Sequence, residues 1–247
     1  MAQQEGIVKL KGSIGDLSFY KSGGQFLART KGGVDGDRIR KDPRFARTRE
    51  NGQEFMRAIK AGKLLRDGFR EQLHLTSDRR MNSRLTSIFS KIVKSDQESP
   101  RGERNVMGGD VSLLLGFEFN EAVNLTSLYL KGYDVTLSEG VAEVTIVPFN
   151  PKNLLQPEGA THAQFVVSAG FFDFNGLTSE VAHTEGEPFE LTQQEHEGET
   201  LTTGTVETIE GGVAVVMLGL LYWQEVNGQL YKLNNGATNA LRVIAVE

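Results

Sequence analysis

The chain has 247 residues, of which 38% are hydrophobic and 24% charged, and it contains no cysteine. That size and balance support a folded core and exclude wholesale disorder, while the missing cysteine excludes disulfides, thiol nucleophiles and thiolate metal sites. The net charge of −5 conceals a split: residues 1–104 carry 23 Lys+Arg and 13 Asp+Glu, and residues 105–247 carry 4 and 19. A basic region meets phosphate, an acidic membrane or an acidic protein surface. Here an acidic surface is available on the same polypeptide.

In chain order, residues 1–37 read as a β-hairpin arm and loop. Ile7-Val8-Lys9-Leu10, Leu17-Ser18-Phe19-Tyr20 and Gln25-Phe26-Leu27-Ala28 are short strand patterns, and Gly23-Gly24 between the last two is a hairpin signal. Such strands either open a compact domain or form an arm that adds to the sheet edge of a neighbour. In the second case Leu17, Phe19, Tyr20 and Phe26 are its assembly residues.

Residues 38–95 read as a basic helical hairpin. Asp42-Pro43 caps and starts the first helix, and Asn51-Gly52 is a place for it to break. Phe55, Ile59, Gly62, Leu65, Phe69 and Leu73 fall on one stripe. The second helix starts near Thr76-Ser77-Asp78 and carries Met81, Leu85, Ile88 and Ile92 on its apolar side. Arg57, Lys60, Lys63, Arg66 and Arg70 on the first helix, with Arg80 and Arg84 on the second, make a basic surface. It reads either as a contact for phosphates or as the solvated side of two amphipathic helices.

Residues 96–109, with Pro100, Gly102 and Gly108-Gly109, read as a linker. Residues 110–247 read as an acidic β-rich domain that folds independently. Ser138-Glu139-Gly140 and Asn227-Gly228 mark hairpins. Ala163–Ser168, Phe171–Phe174, Val213–Val226, Gln229–Leu233 and Leu241–Val246 are strands, and Thr184–Gly204 is an acidic loop. Val213–Trp223 is apolar but too short to cross a bilayer, so no membrane insertion is expected. The fold class is α+β: an N-terminal β-hairpin or arm and a basic helical hairpin, followed by an antiparallel β-sandwich-like domain.

Catalytic patterns are missing. There is no Gly-Lys-Ser/Thr phosphate loop, no GxGxxG after a strand, no GxSxG elbow and no HExxH. His183 near Glu185 and Glu187, and His196 between Glu195 and Glu197, read as solvated loop residues rather than metal ligands. Asp35-Gly36-Asp37 lacks the later ligands of a calcium loop. No catalytic, cofactor or metal residue is expected. The N-terminus lacks the basic and apolar segments of a secretory signal, which fits a cytoplasmic protein as synthesised.

Ile7 to Lys21, Ala28-Arg29-Thr30-Lys31-Gly32-Gly33, Asp42-Pro43-Arg44-Phe45, Arg47 to Asn51 and Tyr222 to Gly228 resemble a family of uncharacterised bacterial proteins. The resemblance implies a recurring architecture and carries over no functional residue. The polarity, the arm and the missing catalytic pattern lead to an expected non-enzymatic, self-associating structural subunit of a filament, tube or layer. The alternative is a nucleic-acid-associated protein that binds phosphates through the basic helices.

Overall fold

In the computed structural model, the described residues are 2–30, 33–76, 78–128, 132–233 and 238–247, and the chain divides into two units, residues 1–49 and 50–247. Ser77 in the expected helix start, and Lys31-Gly32 in the expected loop, lie outside the described residues.

The first unit is a four-stranded antiparallel sheet in the order β1-β4-β3-β2, formed by β1 (Ala2–Gln3), β2 (Gly12–Ile14), β3 (Leu17–Ser22) and β4 (Gln25–Thr30). Gly23 and Gly24, at φ 56° and 84°, supply the two positive dihedrals of the tight β3–β4 turn. The alternating run Ile7–Leu10, expected as a strand, is not one; it leads into β2 instead. A six-residue helix α1 (Gly36–Lys41), which has no counterpart in the sequence reading, is capped by Asp35. Asp42 then caps a short turn, Pro43–Phe45, through its bond from the Arg44 amide.

Helix α2 (Ala46–Gly68) begins in the first unit and runs unbroken through Asn51-Gly52. It is followed by α3 (Arg70–Leu73) and α4 (Met81–Ser95). The expected stripe holds at Gly62, Leu65 and Phe69, which are buried, but is shifted by one position in the first half of α2: Glu54 and Ala58 are buried, and Phe55 is 52% exposed. Small residues on the inner face explain the shift. A Cβ added to Gly62 would lie 3.5 Å from the Phe89 ring of α4, an ordinary contact, so α4 approaches closely at this point and a side chain longer than alanine would meet that ring.

Three strands make a small sheet in the order β10-β6-β5: β5 (Tyr133–Ser138), β6 (Val141–Ile146) and β10 (Glu199–Thr202). The six-stranded sheet contains β7 (His162–Asp173), β8 (Thr178–Glu185), β9 (Phe189–Glu190), β11 (Val213–Val226), β12 (Gln229–Lys232) and β13 (Ala240–Val246). Every strand pair is antiparallel. Glu139-Gly140 and Asn227-Gly228 form two-residue turns with positive φ at both positions, as their sequences indicate. The expected loop Thr184–Gly204 contains the end of β8 and all of β9 and β10.

The apolar run of β11 is buried on both faces. Val213, Val215, Met217 and Leu221 join Val166 and Phe172 of β7 against Leu65 and Phe69 and the α4 residues Leu85 and Phe89. The alternate residues Val216, Leu218, Leu220 and Tyr222 join Phe165 and Val167 against Val144 and Ile146 of the small sheet. The layers are helices, six-stranded sheet and three-stranded sheet. Helix and sheet meet closely at Gly68, where an added Cβ would lie 2.8 Å from the Phe172 ring. Beyond this body the β11–β12 hairpin continues, with every residue from Gln224 to Lys232 exposed.

Residues 96–109, expected as a linker, are organised around Asp96, which is fully buried. Its carboxylate accepts from the backbone N–H groups of Ser99 at 3.0 Å, Glu98 at 3.1 Å and Asn105 at 3.1 Å. The Ser99 amide in particular holds this carboxyl at about 2. Gly109 packs on the end of α4 so closely that a Cβ would lie 2.1 Å from the Ile92 carbonyl oxygen. The β-rich region therefore shares its core with α2 and α4 instead of standing apart from them. A fragment of residues 105–247 would leave the helix-facing side of β7, β11 and β13 open to water. It is expected to lack cooperative thermal unfolding, whereas residues 50–247 unfold in one transition; calorimetry of both fragments checks this.

Candidate functional site

The residues expected to mediate assembly lie on a sheet that has no interior. No described residue before Glu54 is buried. The register Leu17↔Thr30, Phe19↔Ala28, Lys21↔Phe26 and Ile14↔Leu17 puts Ile14, Leu17, Phe19, Phe26 and Ala28 on one face. Ile14 is 63% exposed and Leu17 43%. Tyr20 falls on the opposite face with Leu27 and Arg29, and the Arg29 guanidinium lies 5.5 Å from its ring centroid. Three of the four expected arm residues are thus brought together, and Tyr20 is separated from them. Lys21 stands over Phe26 at 5.4 Å and borders the apolar face with positive charge. The unit as a whole has eleven Lys+Arg against five Asp+Glu, and residues 50–247 have sixteen against twenty-seven.

The expected basic surface on the helices is largely engaged. Arg57 donates to the carbonyls of Gly102 at 2.6 Å and Arg104 at 3.1 Å and so fastens the loop after α4. Lys63 and Arg70 both pair with Asp67, and Arg66 donates to the Gly62 carbonyl. Arg80 pairs with Glu121 at 3.4 Å. Arg84 pairs with Asp78, donates to the Glu118 carbonyl at 2.8 Å and lies 5.0 Å from the Phe117 ring centroid. Lys60 lines a shallow pocket with Asn105 and Phe174. Asp67, visible in the sequence as a carboxylate interleaved with the bases, pairs with two of them, while the loop carbonyls that hold Arg57 and Arg84 have no signal in the periodicity.

A cleft of about 520 Å³ lies beside Arg84, lined by Ile88, Leu113, Leu115, Phe117 and Glu118. Both acids that line it are engaged: the Glu118 carboxylate accepts from Arg242 at 3.1 Å and from the Leu125 amide, and Glu121 pairs with Arg80. Burial pushes the pKa of Glu118 above the usual carboxylate range. No three metal-ligating side chains converge among the described residues, and no helix among them is long and apolar enough to cross a membrane.

Of the two histidines near acidic residues, His183 is exposed but on a strand, and His196 lies in the β9–β10 connection but is half-buried. His183 is on β8, 3.7 Å from Glu71. His196 pairs by its backbone with Phe149, stacks on the Phe149 ring at 4.9 Å and packs tilted against the Phe189 ring at 4.7 Å. Its Nδ1 accepts from the Gly198 amide, and burial lowers its pKa. Nearby in the chain, burial and the Glu187 carboxylate push Glu199 up to about 7. No known protein family matches the chain, and no curated protein or solved structure is significantly similar to it.

Because the folded form of Glu199 holds its proton more tightly than the unfolded chain, its stabilising contribution is full below the ordinary value of 4.5 and is lost as pH rises through about 7. Glu199→Gln, neutral throughout, is expected to raise the thermal midpoint at pH 8 and to change it little at pH 4. Melting curves of the two proteins across this range check the sign.

Proposed function

We propose that the protein is a non-enzymatic, self-associating structural subunit whose N-terminal sheet is covered by a second copy of the chain. One observation carries the reading: a four-stranded sheet with a contiguous apolar face contains no buried residue. Isolated sheets are marginal in water without a packed face, and an uncovered apolar face rimmed by charge is the mark of a contact surface. Covering Phe19, Phe26 and Leu17 supplies the stabilisation. The charge difference between the first unit and the rest of the chain favours a basic-to-acidic contact over a like-with-like one. Such a contact joins different patches, so it propagates into a filament, tube or layer unless it closes into a ring.

Light scattering across a concentration series tests this. The full chain should form large species, and a chain lacking residues 1–30 should not. Phe19→Ala and Phe26→Ala should each weaken association by about 2 kcal/mol, roughly 30-fold, if they are anchors. A chain that stays monomeric at every concentration overturns the reading. A monomer that instead retards DNA or RNA with a steep salt dependence would turn the basic unit toward phosphates.

A further inference from the structure

We propose that the outer edge of β8 accepts the Gly6–Lys11 segment of a second copy as an added strand. The inference rests on self-association through the N-terminal unit and names the surface that receives it.

The acceptor is a bare sheet edge. Strand β8 ends the strand order of its sheet and is bonded to β7 alone. Among the described residues its outward backbone groups have no backbone partner. Exposed edges are ordinarily guarded by shortness, lysine, proline or a bulge. Strand β8 is eight residues long and contains no lysine, arginine or proline. Two adjacent residues at its middle meet different layers: Val181 lies near Gly68 of α2, and Ala182 near Gly204. The strand is thereby held on both faces and open at its side.

The donor has the pattern of a strand without the pairing. In Ile7-Val8-Lys9-Leu10-Lys11, apolar and basic residues alternate, yet the segment belongs to no strand. Ile7 is fully exposed and Val8 is 76% exposed. The Gln4 side chain pins the segment at one point: its Oε1 accepts from the Leu10 amide at 2.8 Å, and its Nε2 donates to the Leu10 carbonyl at 3.2 Å. The backbone of Gly6–Lys9 makes no hydrogen bond among the described residues. A side-chain amide thus substitutes for a neighbouring strand at Leu10; the Lys9 ammonium donates to the Gln4 carbonyl, and Gly6–Val8 project without a backbone hydrogen bond among the described residues.

Charge selects this pairing. Between Lys152 and Lys232 there is no lysine or arginine, but there are twelve Asp+Glu. Glu180 and Glu185 are exposed on β8, and Glu187 follows it. They repel a second β8 edge and attract Lys9 and Lys11, so heterotypic pairing is favoured over edge-to-edge pairing of identical strands. Backbone hydrogen bonds to the added strand supply the contact and the charges its orientation.

The test uses the full chain. Lys9→Glu with Lys11→Glu, and separately Glu180→Lys with Glu185→Lys, should each weaken association roughly tenfold in low salt. Combining all four substitutions should restore it. Because the chain has no cysteine, cross-linking is unambiguous. Val8→Cys copies mixed with Ala182→Cys or Thr184→Cys copies should form disulfide-linked heterodimers on oxidation, and Val8→Cys copies mixed with Leu155→Cys copies should not. If deleting residues 1–30 abolishes assembly but the β8 reversal and the cross-links have no effect, the edge assignment is overturned and self-association stands. If the full chain never associates, both fail. If Val8→Cys and Ala182→Cys placed in one chain close within a monomer, the segment serves its own chain and the inference is overturned.

Discussion

The fold of residues 50–247 depends on the two-sided burial of β7 and β11. A half-buried strand needs cover on one face only. These two strands pair over eleven residues and present apolar side chains on both sides of the sheet, so two further layers are obligatory. The three-stranded sheet closes one side and helices α2 and α4 close the other. Features that look local follow from this. Ala58, Ala61 and Gly62 face α4 because the two helices must both reach the sheet. Gly68 lets the end of α2 approach Phe172, and the buried Asp96 carboxylate turns the chain from α4 back toward the strands.

The first unit has the opposite character. Its β-hairpin is locally well specified, yet it has neither a helix layer nor a second sheet among residues 2–30. Strand pairing holds its hairpins together and leaves its apolar face unanswered. The same chain carries a long sheet edge whose charged residues, Glu180 and Glu185, are all acidic and so oppose a like edge but not a basic strand. On this view affinity would arise from apolar burial and backbone pairing. Charge would decide which surfaces meet, since exposed ion pairs are weak individually and screened over about 8 Å at physiological salt.

The α+β class and the three tight hairpins were legible because the information is local: Gly23-Gly24, Glu139-Gly140 and Asn227-Gly228 encode positive dihedrals at the residues that need them. The apolar positions of α4 could be read for the same reason. On α2 the periodicity found Gly62, Leu65 and Phe69 but missed Ala58 and Ala61, because alanine carries little hydrophobic signal and its burial is set by the approach of α4. Residues 96–109 have a linker's composition, and only the tertiary position of Asp96 gives those polar groups a common centre. His196 was misread because its ring partners, Phe149 and Phe189, are remote in sequence or on the far side of a turn. For the assembly surface, the alternation of Phe19 and Tyr20 already separates them onto opposite faces, whereas the commitment of Arg57 and Arg84 to backbone carbonyls is a tertiary fact.

Strand β11 combines two regimes in one continuous element. Its first ten residues, Val213 to Tyr222, are all buried, while the part from Gln224 onward is exposed and held by β12 and by the Thr161 hydroxyl, which accepts from the Glu225 amide. The amide protons of the first part can exchange with solvent only when the sheet itself opens, on the free-energy scale of global unfolding. Those of the hairpin can exchange through local fraying that leaves the core untouched. A single strand therefore spans the protein's range of local stability, and the hairpin can open or change partners while the residues that anchor it stay in place.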